Sequence, residues 1–173
     1  GDLYYTRFAL RTLDALGWPA GLDWTPTAQF VRRQAPAASD PIAIFCAIDA
    51  AAVLAAAAAP PWSGEEQAQA EAKLIGRLDR LPAQTSLYDA FLAALARVAC
   101  RSPAPSAESV EPLLQACKRP DGGFAESPAG TAGQTNPTAA AVGLMDLTGL
   151  LQRPIADGIA EFLLGMRRPD GGF

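Results

Sequence analysis

Apolar residues recur every three or four positions along most of the chain, and no stretch alternates apolar and polar residues as a half-buried strand would. Eight helical segments can be marked by their ends. Asp2 opens the first, which runs to about Leu16 and stops at Gly17. Thr25-Pro26 opens a second, to Gln34. Asp40-Pro41 opens the third, to about Ala58, closed by Pro60-Pro61. Ser63-Gly64-Glu65-Glu66 reads as a capping box for the fourth, to about Arg80. Thr85 or Ser86 caps the fifth, to about Cys100. Ser106 caps the sixth, which ends at Arg119 before Pro120. Asn136-Pro137 opens the seventh, to about Leu150, and the eighth runs from near Pro154 to Arg168. Side-chain acceptors ahead of a helix satisfy its first free N–H groups, and proline suits the first turn. Gly, or a residue before Pro, ends it.

The polarity of these segments alternates. The odd members are rich in small and apolar residues, as in Phe45-Cys46-Ala47-Ile48 and Ala139-Ala140-Ala141-Val142. They are expected to be buried on most sides. The even members carry one apolar stripe and one charged face. In the fourth, Ala70, Leu74, Ile75 and Leu78 share a face, with Glu71, Lys73 and Arg77 opposite. Oily helices inside and amphipathic helices outside predict a curved array of four helical hairpins.

One hexapeptide sets the period. Arg119-Pro120-Asp121-Gly122-Gly123-Phe124 returns unchanged as Arg168 to Phe173, 49 residues later (173 − 124). A fixed interval of that length identifies a repeated supersecondary unit. Proline blocks helix continuation, Asp and Gly favour a turn, and glycine is free to take a positive φ. Phe124 can then fold back as an apolar plug against the helix just ended.

Totals narrow the function. The 173 residues suit one domain over 1–173, and half of them are hydrophobic, enough for a sizeable core. Net charge is −4, which does not suit a phosphate backbone, so no nucleic-acid partner is expected. No histidine is present, which removes the commonest general base and zinc ligand, and no metal or cofactor site is read. Cys46, Cys100 and Cys117 are scattered and odd in number, so a reducing, cytoplasmic setting fits better than a disulfide framework. The first residues have neither a basic region nor an apolar run, so no signal peptide is read there. Ile42 to Ala59 is apolar, but Asp49 at its centre would cost roughly 3 kcal/mol in a bilayer core. A buried helix is expected there, not a membrane span.

Cys117-Lys118-Arg119-Pro120-Asp121-Gly122-Gly123-Phe124, followed by Gln134-Thr135-Asn136-Pro137-Thr138-Ala139-Ala140-Ala141-Val142, resembles the repeat of protein prenyltransferase β subunits and of squalene and oxidosqualene cyclases. Asp2-Leu3-Tyr4-Tyr5-Thr6 and Thr85-Ser86-Leu87-Tyr88-Asp89 are similar to that repeat's inner-helix start. The resemblance implies an all-α fold of the α/α-toroid type, here an arc of about four helical hairpins around an apolar cavity. It also implies an isoprenoid or similar apolar ligand. The family's chemistry is not carried over. The prenyltransferase zinc set needs a histidine, and the cyclases' Asp-x-Asp-Asp motif is missing. Gln134 stands where the repeat often has His, and Ala139 where it has a tyrosine.

Within such a toroid, Tyr5, Phe8, Phe45, Tyr88 and Phe91 would line the inner face as an aromatic wall for that ligand, or else pack in the core. Arg7 and Arg11, one turn apart, could clamp a diphosphate or pair with a carboxylate. Asp14, Asp49, Asp89 and Asp146 lie on inner helices, and one of them facing an apolar cavity would have its pKa raised and could act as an acid. The paired basic residues Arg32-Arg33, Lys118-Arg119 and Arg167-Arg168 offset the negative ends of outer helices. Two readings remain open. One is a prenyltransferase-like or cyclase-like binder of an apolar ligand. The other is a non-catalytic helical scaffold that binds a partner or forms a homodimer through apolar repeat ends.

Overall fold

The structure is a computed structural model that describes residues 1–81 and 86–172. It is all-α. Helices α1 (Leu3–Leu16), α2 (Thr25–Gln34), α3 (Pro41–Ala56), α4 (Gly64–Leu78), α5 (Leu87–Ala99), α6 (Ala107–Cys117), α7 (Thr135–Thr148) and α8 (Arg153–Met166) follow in order, with a 3-10 turn at Ala35–Ala37. Among the described residues the only β pairing is a pair of isolated bridges that join Lys118, Phe124 and Gln134. Among the described residues no helix is long and apolar enough to cross a membrane.

Most helix starts follow the predicted caps. Asp2 Oδ1 accepts the Tyr5 N–H at 2.9 Å, and Asp40 Oδ1 accepts the Ala43 N–H at 2.8 Å. Glu66 reaches back to the Ser63 N–H at 3.0 Å, as a capping box requires. Two starts lie earlier than predicted. The cap of α2 is Trp24, with Asp23 Oδ1 accepting the Thr25 N–H at 2.9 Å. The cap of α7 is Gln134, so Pro137 falls within the first turn. The missing N–H of proline costs nothing there, because first-turn N–H groups have no intrahelical acceptor.

The start of α5 uses a device the local sequence does not announce. Thr85, one candidate cap, lies outside the described residues. Ser86 Oγ accepts the Asp89 N–H at 3.2 Å. Glu126, distant in sequence, supplies the rest. Its carbonyl accepts the Leu87 N–H at 3.0 Å, and its Oε1 accepts the Tyr88 N–H at 3.2 Å and the Ser86 hydroxyl. Replacing Glu126 by Ala is expected to cost about 1 kcal/mol, the usual size of a lost cap. Faster hydrogen exchange at Tyr88, with the centre of α7 unchanged, is the measurement that checks it.

The chain divides into two compact units, one of Gly1–Pro82 with Leu95–Ser102, the other of Ala83–Ala94 with Pro103–Phe173. Length alone suggests one domain. The division passes through α5, whose two halves belong to different units. In the first unit, α3 is the central helix. Ile44 to Ala51 are all buried, and α1, α2 and α4 pack against it. In the second, α7 takes the same part between α6 and α8, with Ala140, Ala141, Leu144 and Met145 buried. A core of Leu87, Val110, Leu114, Cys117, Phe124 and Ile159 surrounds it.

The alternation of oily and amphipathic helices is therefore met at α3 and α7, but not at α1. Only Leu3 and Leu10 of α1 are buried, while Tyr4, Tyr5, Phe8 and Leu16 face solvent. The reason is visible in its residues. Thr6, Arg7, Arg11, Thr12 and Asp14 leave α1 only a narrow apolar stripe, and α3 takes that stripe.

Both copies of the hexapeptide close the same turn. The Arg119 N–H donates to Gly123 O at 2.9 Å and the Gly122 N–H to Arg119 O at 3.1 Å. The Gly123 N–H donates to Asp121 Oδ1 at 3.0 Å. Shifted by 49 residues, Arg168 donates to Gly172 O at 2.7 Å, Gly171 to Arg168 O at 2.9 Å, and Gly172 to Asp170 Oδ1 at 3.0 Å. Gly122 has φ 87° and Gly171 φ 89°, the conformation that only glycine adopts cheaply. Phe124 does fold back. It is buried in the core beside Cys117 and Leu114, and the Ala125 N–H donates to Cys117 O at 2.9 Å. Phe173 of the second copy lies outside the described residues.

Candidate functional site

An arginine–carboxylate cluster on α1 and α3 is the most concentrated chemistry in the first unit. Asp49 projects from α3 and is only 4% exposed. Arg7 Nε donates to its Oδ2 at 2.7 Å, and Arg11 Nε donates to the same oxygen at 3.0 Å. Arg11 Nη2 donates to Oδ1, completing a fork. Arg11 also lies 3.6 Å from Asp14, which accepts a hydrogen bond from Trp18 Nε1 at 3.3 Å. The helical spacing of Arg7 and Arg11, one turn apart, brings both guanidiniums onto one carboxylate.

Burial would by itself push the Asp49 carboxyl up. The hydrogen bonds and charges of Arg11 and Arg7 outweigh it, and the net shift is downward. Arg11 is shifted upward, first by its hydrogen bond to Asp49. Asp49 is therefore held ionised, which removes it as the protonated acid that an apolar cavity would have produced. Asp14 and Asp146 are exposed. The two arginines are matched by two carboxylates, Asp49 and Asp14, so the diphosphate-clamp reading has no surplus charge behind it.

Aromatic rings surround this cluster. The Arg7 guanidinium carbon lies 5.0 Å from the ring centre of Phe45 and 5.1 Å from that of Phe8. Phe45 is buried beneath it. Tyr4 packs edge-on against Phe8, with ring centres 4.9 Å apart, and against Tyr5 at 5.4 Å. Tyr5 is 71% exposed and Phe8 45%. Of the predicted site residues, Tyr5, Phe8, Arg11 and Phe45 thus gather at one place, with Phe45 as its floor and Tyr5 as its outer edge.

The other two belong to the second unit and have different surroundings. Tyr88 and Phe91 are half-buried against its core. The Phe91 ring lies where a side chain on Gly143 of α7 would be, so the ring fills the gap that glycine leaves.

No family model, curated protein or solved structure matches the chain. Its chemistry is therefore read from its own residues. Among the described residues no group of His, Cys, Asp and Glu is arranged to hold a metal ion. The three cysteines are free. Burial pushes Cys46 up to about 11 and Cys100 up to about 12, and raises Cys117 as well. A thiol so shifted is neutral near pH 7 and a poor nucleophile.

Arg119 has a part that its position at a helix end does not reveal. It does meet the last turn of α6, through Nη1 to Ala116 O at 3.0 Å. It also holds the following loop, through Nε to Gly130 O at 2.8 Å and Nη2 to Ser127 O and Pro128 O at 3.1 and 3.0 Å. Asp121 ties the same loop by accepting the Gly133 N–H at 2.8 Å. The signal in the sequence was the strict repetition of Arg and Asp in the hexapeptide, but the loop they hold is not local to it.

Proposed function

We propose that this chain is a prenyltransferase-like or cyclase-like helical-hairpin protein that binds an isoprenoid or similar apolar ligand on the aromatic face of α1. The observation that carries this reading is the edge-to-face, solvent-facing set of Tyr4, Tyr5 and Phe8 beside the Arg7–Arg11–Asp49 cluster. Exposed aromatic rings grouped on one face mark a binding surface more often than isolated ones do. The identical closure of both hexapeptide turns supports the repeat resemblance from which the ligand class comes. We assign no catalytic residue, since the buried carboxylate is held ionised between two arginines and burial pushes all three thiols up. Three free cysteines suit a cytoplasmic, reducing setting.

The test is a titration with farnesyl diphosphate, with farnesol and inorganic diphosphate as separate arms. Trp18 and Trp24, whose rings meet edge-on 4.8 Å apart, are the reporters, since the hydrogen bond of Trp18 to Asp14 links them to Arg11, and a Trp62→Phe background removes the third tryptophan. Farnesyl diphosphate and farnesol are expected to change tryptophan emission saturably, and diphosphate is not. The paired substitution Tyr5→Ala and Phe8→Ala should weaken binding about tenfold, as loss of two aromatic contacts implies. No saturable change up to high micromolar ligand would remove the proposal.

A second reading rests on the same exposed rings. Rings on one helix face can instead meet a second copy of the chain, as in a scaffold that self-associates. Under this reading light scattering gives a dimer mass that falls to the monomer on Tyr5→Ala and Phe8→Ala. A monomer at every concentration leaves only the ligand reading.

A further inference from the structure

The first unit carries a cleft on a different face, between α4 and the 3-10 turn at Ala35–Ala37. Its volume is about 360 Å³. Pro36, Trp62, Ala70 and Leu74 form its apolar wall, and Lys73 and Arg77 stand at its rim. Its one acid, Glu66, is already engaged. Arg32 Nη2 reaches it at 2.9 Å, and it accepts the Ser63 N–H at 3.0 Å.

Lys73 and Arg77 are the two cations that line the cleft. Arg7, Arg11, Arg32 and Arg97 each pair with a carboxylate, whereas Lys73 and Arg77 have no ion-pair partner among the described residues. Arg77 is nevertheless fixed in place. Its Nη1 donates to Ala35 O at 3.2 Å and to Ala38 O at 3.3 Å, leaving Nε and Nη2 to donate elsewhere. A guanidinium held by carbonyls keeps its full charge and loses little freedom when it meets an anion. Four residues apart on α4, the two cations lie on one helix face, and they share it with Ala70 and Leu74 instead of standing opposite them as the sequence pattern suggests. In a chain of net charge −4, a positive rim over an apolar wall is a local inversion of sign.

We propose that this cleft binds a medium-chain aliphatic carboxylate, with its chain against Trp62, Leu74 and Pro36 and its carboxylate between Lys73 and Arg77. Charge complementarity selects the anion, the apolar wall selects the chain, and the volume is at the small end of the range for ligand sites. Lys73 supplies a point charge, and Arg77 supplies directional N–H donors.

Calorimetric titration of the full chain with octanoate tests this, with 1-octanol and octylamine as controls of equal chain length. Octanoate is expected to bind one per chain, and octanol and octylamine at least tenfold more weakly. Lys73→Gln, at an exposed position, should weaken octanoate about tenfold and leave octanol unchanged. Tyr5→Ala with Phe8→Ala should not alter it, which separates this cleft from the aromatic face of α1. The proposal is overturned if octanoate does not saturate, if octanol binds as tightly, or if Lys73→Gln has no effect. Circular dichroism of Lys73→Gln verifies that a lost signal is not lost folding.

Discussion

Gly133→Ala is expected to lower stability by about 3 kcal/mol, the upper part of the range for overpacking a well-filled site. For a chain of this size that corresponds to roughly a 10 °C fall in Tm. The reason is the set of atoms an added Cβ would meet. It would lie 2.8 Å from Gly123 Cα, 2.8 Å from Asp121 Oδ1 and 2.9 Å from Phe162 Cε2. The first is backbone, and the second is the acceptor that shapes the hexapeptide turn. Neither can move without opening that turn. Gly123→Ala is a useful contrast. The three atoms nearest to its added Cβ all belong to the Phe162 ring, at 2.5 to 2.7 Å. Combining each substitution with Phe162→Leu separates the two cases. Gly123→Ala should be partly relieved, and Gly133→Ala should not. Urea unfolding of the five variants, Phe162→Leu alone included, measures this. Gly133→Ala within 0.5 kcal/mol of the parent would show that the loop yields easily and that Asp121 and Arg119 do not hold it.

Asp49→Ala is expected to cost about 3 kcal/mol, at the low end of the range for breaking a buried ion pair. The low end applies because Arg7 and Arg11 are 24% and 46% exposed as side chains and can turn toward water. Asp49→Leu should recover part of the loss by filling the space with apolar atoms. The same carboxylate predicts acid behaviour. Its folded pKa is depressed, so its contribution is complete above the ordinary carboxylate value of about 4 and is lost as pH falls through the folded value. Between those two values the unfolded chain binds more protons, so stability falls with pH there. Stability measured from pH 6 down to pH 2 should therefore drop less steeply in Asp49→Leu than in the parent. An equal slope in both would mean that Asp49 is not held ionised by its arginines.

Much of the fold was legible in the residues themselves. Asp2, Asp40, Ser63 and Ser106 each mark a helix start, because capping is a contact between residues two or three apart. Pro120-Asp121-Gly122-Gly123 marks a turn for the same reason, and its repetition shows in two turns with the same hydrogen bonds. The apolar run from Ile42 to Leu54, broken only by Asp49, gives that helix no polar face to turn toward solvent, so α3 is central in its unit. The pairing of Arg7 and Arg11 with a carboxylate could also be anticipated, since an unpaired charge near a core is costly. Which carboxylate it would be could not.

The rest depended on residues far apart in sequence meeting in space. Asp14 is close to Arg11 along α1, yet Asp49, 38 residues away, takes the bidentate contact because α3 packs along α1. Tyr5 and Phe8 read as an aromatic lining, and only the burial of Leu3 and Leu10 against α3 fixed which side of α1 they occupy. Glu126 as the cap of α5 leaves no local mark, and the repetition of Arg119 marks the residue without revealing the 127–130 loop that it clamps. Local periodicity determined that this chain is helical and where its helices begin. Tertiary packing alone decided which faces were left to water and which charges found partners, because each depends on a neighbour that the local sequence does not contain.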